Sequence, residues 1–363
     1  MTRRLRVAIV GTGIGGTHLA GFRALPDLWE VVAVCDVDWE RAAALAAAHG
    51  VRRVESDLAR LVGDPAIDVV DLCTPPYQHF AQISAVLEAG QHVICEKPLV
   101  GSLAEVDALA ALAAGSEGAL LPILQKRFGN GLMQLRHLMA LGLTGRAYVT
   151  TVENHWRRGA DYYAVPWRGR WATELGGVNL TQAIHAQDIV MAVLGPVARV
   201  FAATRTAVNP IEVEDCSATL AEMADGSLAT FSATLGAATE ITRLRFVFEQ
   251  VTVESCHKAR DFTDAPWSFR APDAARQRAI DAALADAPRI RESFAGQFED
   301  FHRSLTEGTP PAVTLDDSRR SLELATAIYH SAGTGAPVAL PIGRDHPAYH
   351  GWRPPGVDRA GGS

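Results

Sequence analysis

Through residue 125 the chain repeats one rhythm: an apolar run, a glycine or polar turn, then a segment whose apolar residues recur at helical spacing. The runs are Leu5–Val10, Glu30–Asp36, Val69–Thr74, His92–Glu96 and Leu120–Gln125. Helices are predicted between them over Gly15–Leu25, Trp39–His49, Gln78–Ala89 and Leu103–Ala114. Strands that are apolar throughout are buried on both faces, which predicts a parallel sheet covered by helices. Beyond Arg127 the texture changes. Helices are expected over Leu132–Leu141, Leu180–Leu194 and Ser318–Ser331, and alternating or β-branched runs over Val197–Thr206, Cys216–Met223, Ser227–Leu235 and Leu244–Glu249. The turn Ala224-Asp225-Gly226-Ser227 has hairpin chemistry. The expected class is α/β: a doubly wound parallel domain over residues 1–126, an α+β domain with an open, mostly antiparallel sheet over 127–345, and an irregular tail over 346–363.

Length agrees with two domains, because 363 residues exceed the roughly 250–300 at which a single core stops growing. A formal net charge of -7 removes the basic footprint that nucleic acid requires. The five cysteines are odd in number and form no C-x-x-C pair, which argues against a disulfide framework or a zinc site. Five further histidines, His257, His302, His330, His346 and His350, lack metal-ligand spacing, so no metal is expected. The alanine-rich stretch Ala108–Ala114 ends at Gly115-Ser116-Glu117, well short of the ~20 apolar residues a bilayer needs. These features describe a cytoplasmic protein that works on small molecules, without nucleic acid or membrane partners.

Candidate chemistry begins at Gly11-Thr12-Gly13-Ile14-Gly15-Gly16, a G-x-G-x-x-G turn that follows an apolar strand and opens a helix. Gly11 permits the tight turn, Gly13 admits a pyrophosphate to the backbone, and Gly16 lets helix and strand pack closely. Asp36, twenty residues past Gly16, stands where an acidic side chain accepts from the adenosine ribose 2′-OH. The same charge repels a 2′-phosphate, and the following Val37, Asp38, Trp39 and Glu40 supply no arginine, so NAD is expected over NADP. An acidic residue here can also cap the next helix. Lys97, in Glu96-Lys97-Pro98, closes an apolar strand at its carboxyl end, where parallel sheets place ligands.

Together these features resemble the Gfo/Idh/MocA family, named for glucose-fructose oxidoreductase and inositol dehydrogenase. The residues that carry the likeness are the glycine turn, Cys73-Thr74-Pro75-Pro76 with His79, Glu96-Lys97-Pro98, and Gly176-Gly177 ahead of His185-Ala186-Gln187-Asp188. The resemblance spans about residues 5–340 and implies a Rossmann domain, a second open-sheet domain, and sugars or polyols as substrates. It implies that Lys97 orients the reacting hydroxyl, that His185 accepts its proton, and that Thr74, Pro75, His79, Glu96 and Gln125 lie along the cofactor. The chemistry is sound by itself, since alcohol oxidation needs a base for the O–H proton and a cation for the developing alkoxide. One position departs from the pattern. Many members carry an acid four residues before the histidine, on the same helical face, and here that residue is Thr181. It can hydrogen-bond but cannot raise the His185 pKa by charge, and Asp188 is a candidate substitute.

Between Asn154 and Trp171 the chain concentrates Trp and Arg. Aromatic faces suit the C–H faces of a sugar, and guanidinium forks suit hydroxyls or carboxylates. Trp156, Arg157, Arg168 and, outside this loop, Arg127 are candidate substrate contacts; Trp167 and Arg168 are expected to reach the cofactor. The leading expectation is an NAD(H)-dependent oxidoreductase acting on a secondary hydroxyl of a sugar, polyol or glycoside. Two alternatives fit the same residues: an enzyme of hydrolase or epimerase type that retains its NAD, and a non-catalytic regulator responsive to NAD and sugar. The second sheet predicts a homo-oligomer, dimer or tetramer, through residues 197–250.

Overall fold

A computed structural model describes residues 3–354 and divides the chain into two units. One runs to Gln125 and also takes in Phe294–Arg319; the other comprises Lys126–Ser293 and the chain from Arg320. The first holds β1 (Leu5–Val10), α1 (Gly15–Arg23), β2 (Trp29–Cys35), α2 (Trp39–Ala48), β3 (Arg53–Glu55), β4 (Val69–Leu72), α3 (His79–Glu88), β5 (His92–Cys95), α4 (Leu103–Gly115) and β6 (Leu120–Pro122). Its sheet runs β3-β2-β1-β4-β5-β6, every neighbouring pair parallel. Growth of the sheet reverses direction at β1 and β4. Such sheets bind ligands outside their carboxyl edge at that reversal. Gly11, Asp36, Thr74 and Lys97 all follow strand ends on this edge.

The second unit begins with α5 (Asn130–Ala140), β7 (Ala147–Arg157), α6 (Ala160–Tyr163), α7 (Val178–Thr181) and α8 (Ile184–Leu194). It continues with β8 (Val197–Arg205), β9 (Cys216–Met223), β10 (Leu228–Thr234), β11 (Gly236–Phe248), β12 (Thr252–Glu254), β13 (Ser268–Arg270) and α9 (Ala274–Ala285). After it come α10 (Ser293–Glu307), α11 (Leu315–Thr334) and β14 (Val338–Ala339). The eight-stranded sheet runs β13-β12-β11-β7-β10-β9-β8-β14 and is antiparallel except where β7 meets β10.

Besides β3, β12, β13 and α9, which were not expected, three features depart from the sequence reading. First, β7 takes in the opening residues, 154–157, of the expected Trp/Arg loop. Its inward positions are Thr150, Val152, Asn154 and Trp156, so two polar residues interrupt the apolar alternation. Asn154 finds a partner inside for its donor: Asn154 Nδ2 and Trp156 Nε1 donate to Thr242 Oγ1 at 3.0 and 2.8 Å, and that hydroxyl donates to the Ala259 carbonyl at 2.6 Å. Second, the helix expected over Leu180–Leu194 is two helices, interrupted at Gln182 (φ -120°, ψ -53°).

Third, α10 brings a distant segment back to the first unit. Phe294, Phe298, Phe301 and Leu305 recur at helical spacing and join the core formed by α1, α2 and β1. Phe298 stacks on Phe22 with ring centroids 3.9 Å apart. Gln297 accepts from the Leu124 N–H and donates to the Pro122 carbonyl, at 3.2 and 3.0 Å, supplying backbone partners beside edge strand β6. Each buried phenylalanine contributes roughly 1.5–3 kcal/mol, which offsets closing so long a loop.

After β14 the described chain has no further helix or strand, yet Ile342, Ala348, Tyr349 and Trp352 are buried. Trp352 stacks on Tyr329 and donates to the Leu175 carbonyl at 2.7 Å. Residues 355–363 of the expected tail lie outside the described residues. Among the described residues, no helix is long and apolar enough to cross a membrane.

Candidate active site

The glycine turn is dictated by close approach. Gly11 has φ +95°, and a Cβ there would lie 2.6 Å from the Cys73 carbonyl oxygen. Gly13 faces open space. The tight helix-to-strand packing expected of Gly16 belongs to Gly15, whose Cβ would meet Ile9 Cγ2 at 2.9 Å; at Gly16 the nearest atom is an ordinary 3.6 Å away. The α1 N-terminus carries no side-chain cap at Ile14. Uncapped N–H groups and the helix dipole favour an anion there.

Asp36 braces this turn. Its Oδ2 accepts from Thr12 N and Thr12 Oγ1 at 2.8 and 2.6 Å, and its Oδ1 from Asp38 N at 3.0 Å. Burial opposes ionisation, but these hydrogen bonds and Arg41 outweigh it and hold the carboxyl below its ordinary value. The capping role left open for Asp36 is filled by Asp38, which accepts from Arg41 N at 3.2 Å. Asp36 therefore stays ionised, with lone pairs that can accept from a ribose hydroxyl.

After β4, Thr74 Oγ1 donates to Gln82 Oε1 at 2.5 Å, and Pro75 leads into a turn of 3₁₀ helix. His79, expected along the cofactor, is fully buried: Nε2 lies 2.9 Å from the Thr74 carbonyl and Nδ1 3.0 Å from that of Pro98. Burial pushes its pKa down, and its ring sits between the Thr74 and Pro98 loops. Glu96 is also turned inward, accepting from His18 Nε2 at 3.1 Å and from Lys97 N at 2.9 Å. Lys97 itself is half-buried. Gln125 offers a buried Oε1 with no hydrogen-bond partner, the kind of atom a bound amide would satisfy.

In the second unit His185 is the second residue of α8 and is buried. Thr181 ends α7 and therefore shares no continuous helical face with it; its hydroxyl donates to the Gly177 carbonyl at 2.7 Å. Arg127, a candidate substrate contact, is buried and holds Asp188 through two hydrogen bonds of 2.8 and 2.6 Å. Asp188, considered as a partner for His185, thus neutralises Arg127. Trp156, also a candidate substrate contact, packs in a core cluster with Val178, Ala183, Ala233 and Leu235. Arg157 is exposed at the end of β7, its N–H bonded to Glu240. Arg168 stacks on Tyr162 and Trp167, with guanidinium-to-centroid distances of 3.9 and 4.3 Å, and pairs with Glu174 at 3.2 Å.

Residues 5–122 match the oxidoreductase family with an NAD-binding Rossmann fold, and residues 132–254 match the GFO/IDH/MocA C-terminal domain. The chain belongs to the GFO/IDH/MocA oxidoreductase family. Myo-inositol 2-dehydrogenase of Thermotoga maritima is 26% identical over 331 residues, 89% of this chain and 95% of that one. D-glucoside 3-dehydrogenase of Escherichia coli is 35% identical over 193 residues, covering 53% and 54% of the two chains. The WlbA dehydrogenase from Bordetella pertussis, in complex with NADH and UDP-GlcNAcA, superposes with a TM-score of 0.83 at 27% identity, covering 94% of this chain and 99% of that one.

Two features of this GFO/IDH/MocA oxidoreductase escaped the sequence reading. One is the buried group His18, Asp71, Cys73 and Glu96; its signal was a lone aspartate in the apolar run Val69-Val70-Asp71-Leu72, which must find a buried partner. Burial and Asp71 push the Cys73 thiol up and keep it protonated. The other is Glu214, whose carboxylate accepts from Gly177 N, Asn179 N and the Tyr329 hydroxyl at 2.9–3.0 Å. A Cβ on Gly177 would lie 1.7 Å from the Glu214 carbonyl oxygen and one on Gly176 2.3 Å from the Tyr329 hydroxyl. That is the physical reason for the Gly-Gly pair ahead of the histidine helix.

Proposed function

We propose that this chain is an NAD(H)-dependent dehydrogenase acting on a secondary hydroxyl of a neutral sugar, polyol or glycoside. The observation that supports it most strongly is the shared edge of the parallel sheet, where the uncapped glycine helix, ionised Asp36 and Lys97 all follow strand ends. The Gly11–Gly16 turn would hold the pyrophosphate and Asp36 the adenosine ribose, with Thr74, Pro75 and Gln125 further along the cofactor. When bound, the nicotinamide supplies the hydride acceptor. Lys97 donates to the reacting oxygen and stabilises its developing charge, while His185 takes the hydroxyl proton. Trp167 and Arg168 form an aromatic and guanidinium surface suited to the C–H face and hydroxyls of a sugar. Because Arg168 is paired with Glu174 and Arg127 with Asp188, these cations are already compensated, which favours neutral substrates over sugar acids.

The test is NADH formation by purified protein over aldoses, cyclitols, glycosides and sugar acids. Turnover with a neutral class supports the proposal. Tight NAD binding with no net NADH from any of them would favour an NAD-retaining or regulatory protein.

A homo-oligomer and a cytoplasmic setting belong to the same reading. Phe201 and Leu220 are register partners across β8 and β9, as are Leu228 and Val149 across β10 and β7, and all four are exposed. Such an apolar sheet face is expected to be covered by a second copy. Sedimentation should give a dimer or larger for the parent and a smaller species for Leu220→Glu; a monomeric parent would refute this interface. The five unpaired cysteines fit a reducing compartment, and cell fractionation checks it.

A further inference from the structure

His18 lies one turn into α1, below the glycine turn, fully buried against Asp71 in the middle of β4 and Glu96 just beyond β5. Its Nδ1 is 2.9 Å from Asp71 Oδ2 and its Nε2 3.1 Å from Glu96 Oε1. A neutral imidazole has one N–H and one lone pair, so it would turn a lone pair against one of these carboxylates. Only the imidazolium donates to both. Two buried carboxylates in a parallel sheet also require a buried cation.

We propose that His18 is a positioning residue whose doubly donating ring ties the helix of the cofactor turn to Glu96, and through Glu96 to the Lys97 backbone. Glu96 Oε2 takes the Lys97 N–H at 2.9 Å, so one buried cluster sets both the cofactor turn and the reactive lysine. Two carboxylates and one imidazolium leave a net charge of about -1 beside Lys97, which favours its ammonium form. The ionisation states agree. Burial alone would lower His18, but the charge and hydrogen bond of Asp71 hold it well above its ordinary value. Burial opposes ionisation of Glu96, but His18 and Lys97 outweigh it and keep the carboxyl low.

The other groups facing the pair are accounted for. Cys73 lies 3.3 Å from His18 Nδ1 and is protonated, as is Cys95. His79 is neutral, and the Phe294 and Phe298 rings that close the far side, 4.5 and 5.4 Å away, carry no charge.

This inference rests on Lys97 acting in the proposed reaction. Loss of that premise would be revealed by an active Lys97→Met variant, whereas His18 ionisation is read without turnover. In ¹⁵N-histidine-labelled protein at a pH of about 8, well above the ordinary histidine value, both His18 ring nitrogens should remain protonated. In Glu96→Gln the descending alkaline limb of kcat/KM should move to lower pH by on the order of one unit, because a negative neighbour of Lys97 is removed. The structural role alone would change kcat or KM without moving that limb. A neutral His18 ring overturns the charge cluster, and an unmoved limb in folded Glu96→Gln overturns its hold on Lys97. If Glu96→Gln does not fold, the ring measurement decides.

Discussion

Lys97→Met is expected to lower kcat/KM about a thousandfold while NAD binding changes by less than about tenfold. The magnitude follows from Coulomb attraction. A cation about 4 Å from a developing alkoxide, at an effective dielectric near 20, contributes roughly 4 kcal/mol, which is about three decades of rate. Methionine keeps much of the length and apolar stem but cannot donate or carry charge. The backbone N–H that bonds Glu96 is retained, so the strand end should stay in place. Parallel measurement of turnover and of NAD binding by calorimetry separates the two effects. Activity within about tenfold of the parent would remove Lys97 from the chemistry.

His185→Asn should cost about a hundred- to ten-thousandfold in kcat, the range for loss of a general base. It should also change the shape of the pH profile. A base must be deprotonated to accept the hydroxyl proton, so activity of the parent falls as pH drops through the His185 pKa. Asparagine does not titrate, and that acid limb should vanish. Persistence of the limb in the variant would assign the base to another group.

How much of this was legible in the sequence follows from what each element must bury. Five of the six strands of the first unit were readable because they are largely apolar, and only the short β3 was missed: Leu5–Val10 was found in full, and the helix at Trp39 ended one residue from its expected limit. The glycine turn and Asp36 were equally readable, since the backbone at Gly11 and the strand end at Cys35 are local properties. What failed was long-range or inward-polar. Strand β7 was hidden by Thr150 and Asn154, whose partner Thr242 lies far along the chain. The α10 stripe was visible as a spacing, but nothing local states that Phe298 stacks on Phe22.

At the site, residue type was readable and orientation was not. Glu96 and His79 belong to motifs expected along the cofactor, and both are buried, one bonded to His18 and the other beside the Thr74 and Pro98 carbonyls. Trp156 and Arg127 looked like ligand contacts for the same reason, and they serve Thr242 and Asp188. A polar side chain near a site can belong to its support as well as to its surface.

The most direct test of the central claim is the fate of the substrate hydrogen. A neutral polyol or sugar carrying deuterium at the oxidised carbon should deliver that deuterium to NADH, detected by mass spectrometry, and the Lys97→Met variant should deliver almost none. Deuterium lost to water, or returned to product with no labelled NADH released, would contradict a net NAD-dependent dehydrogenase.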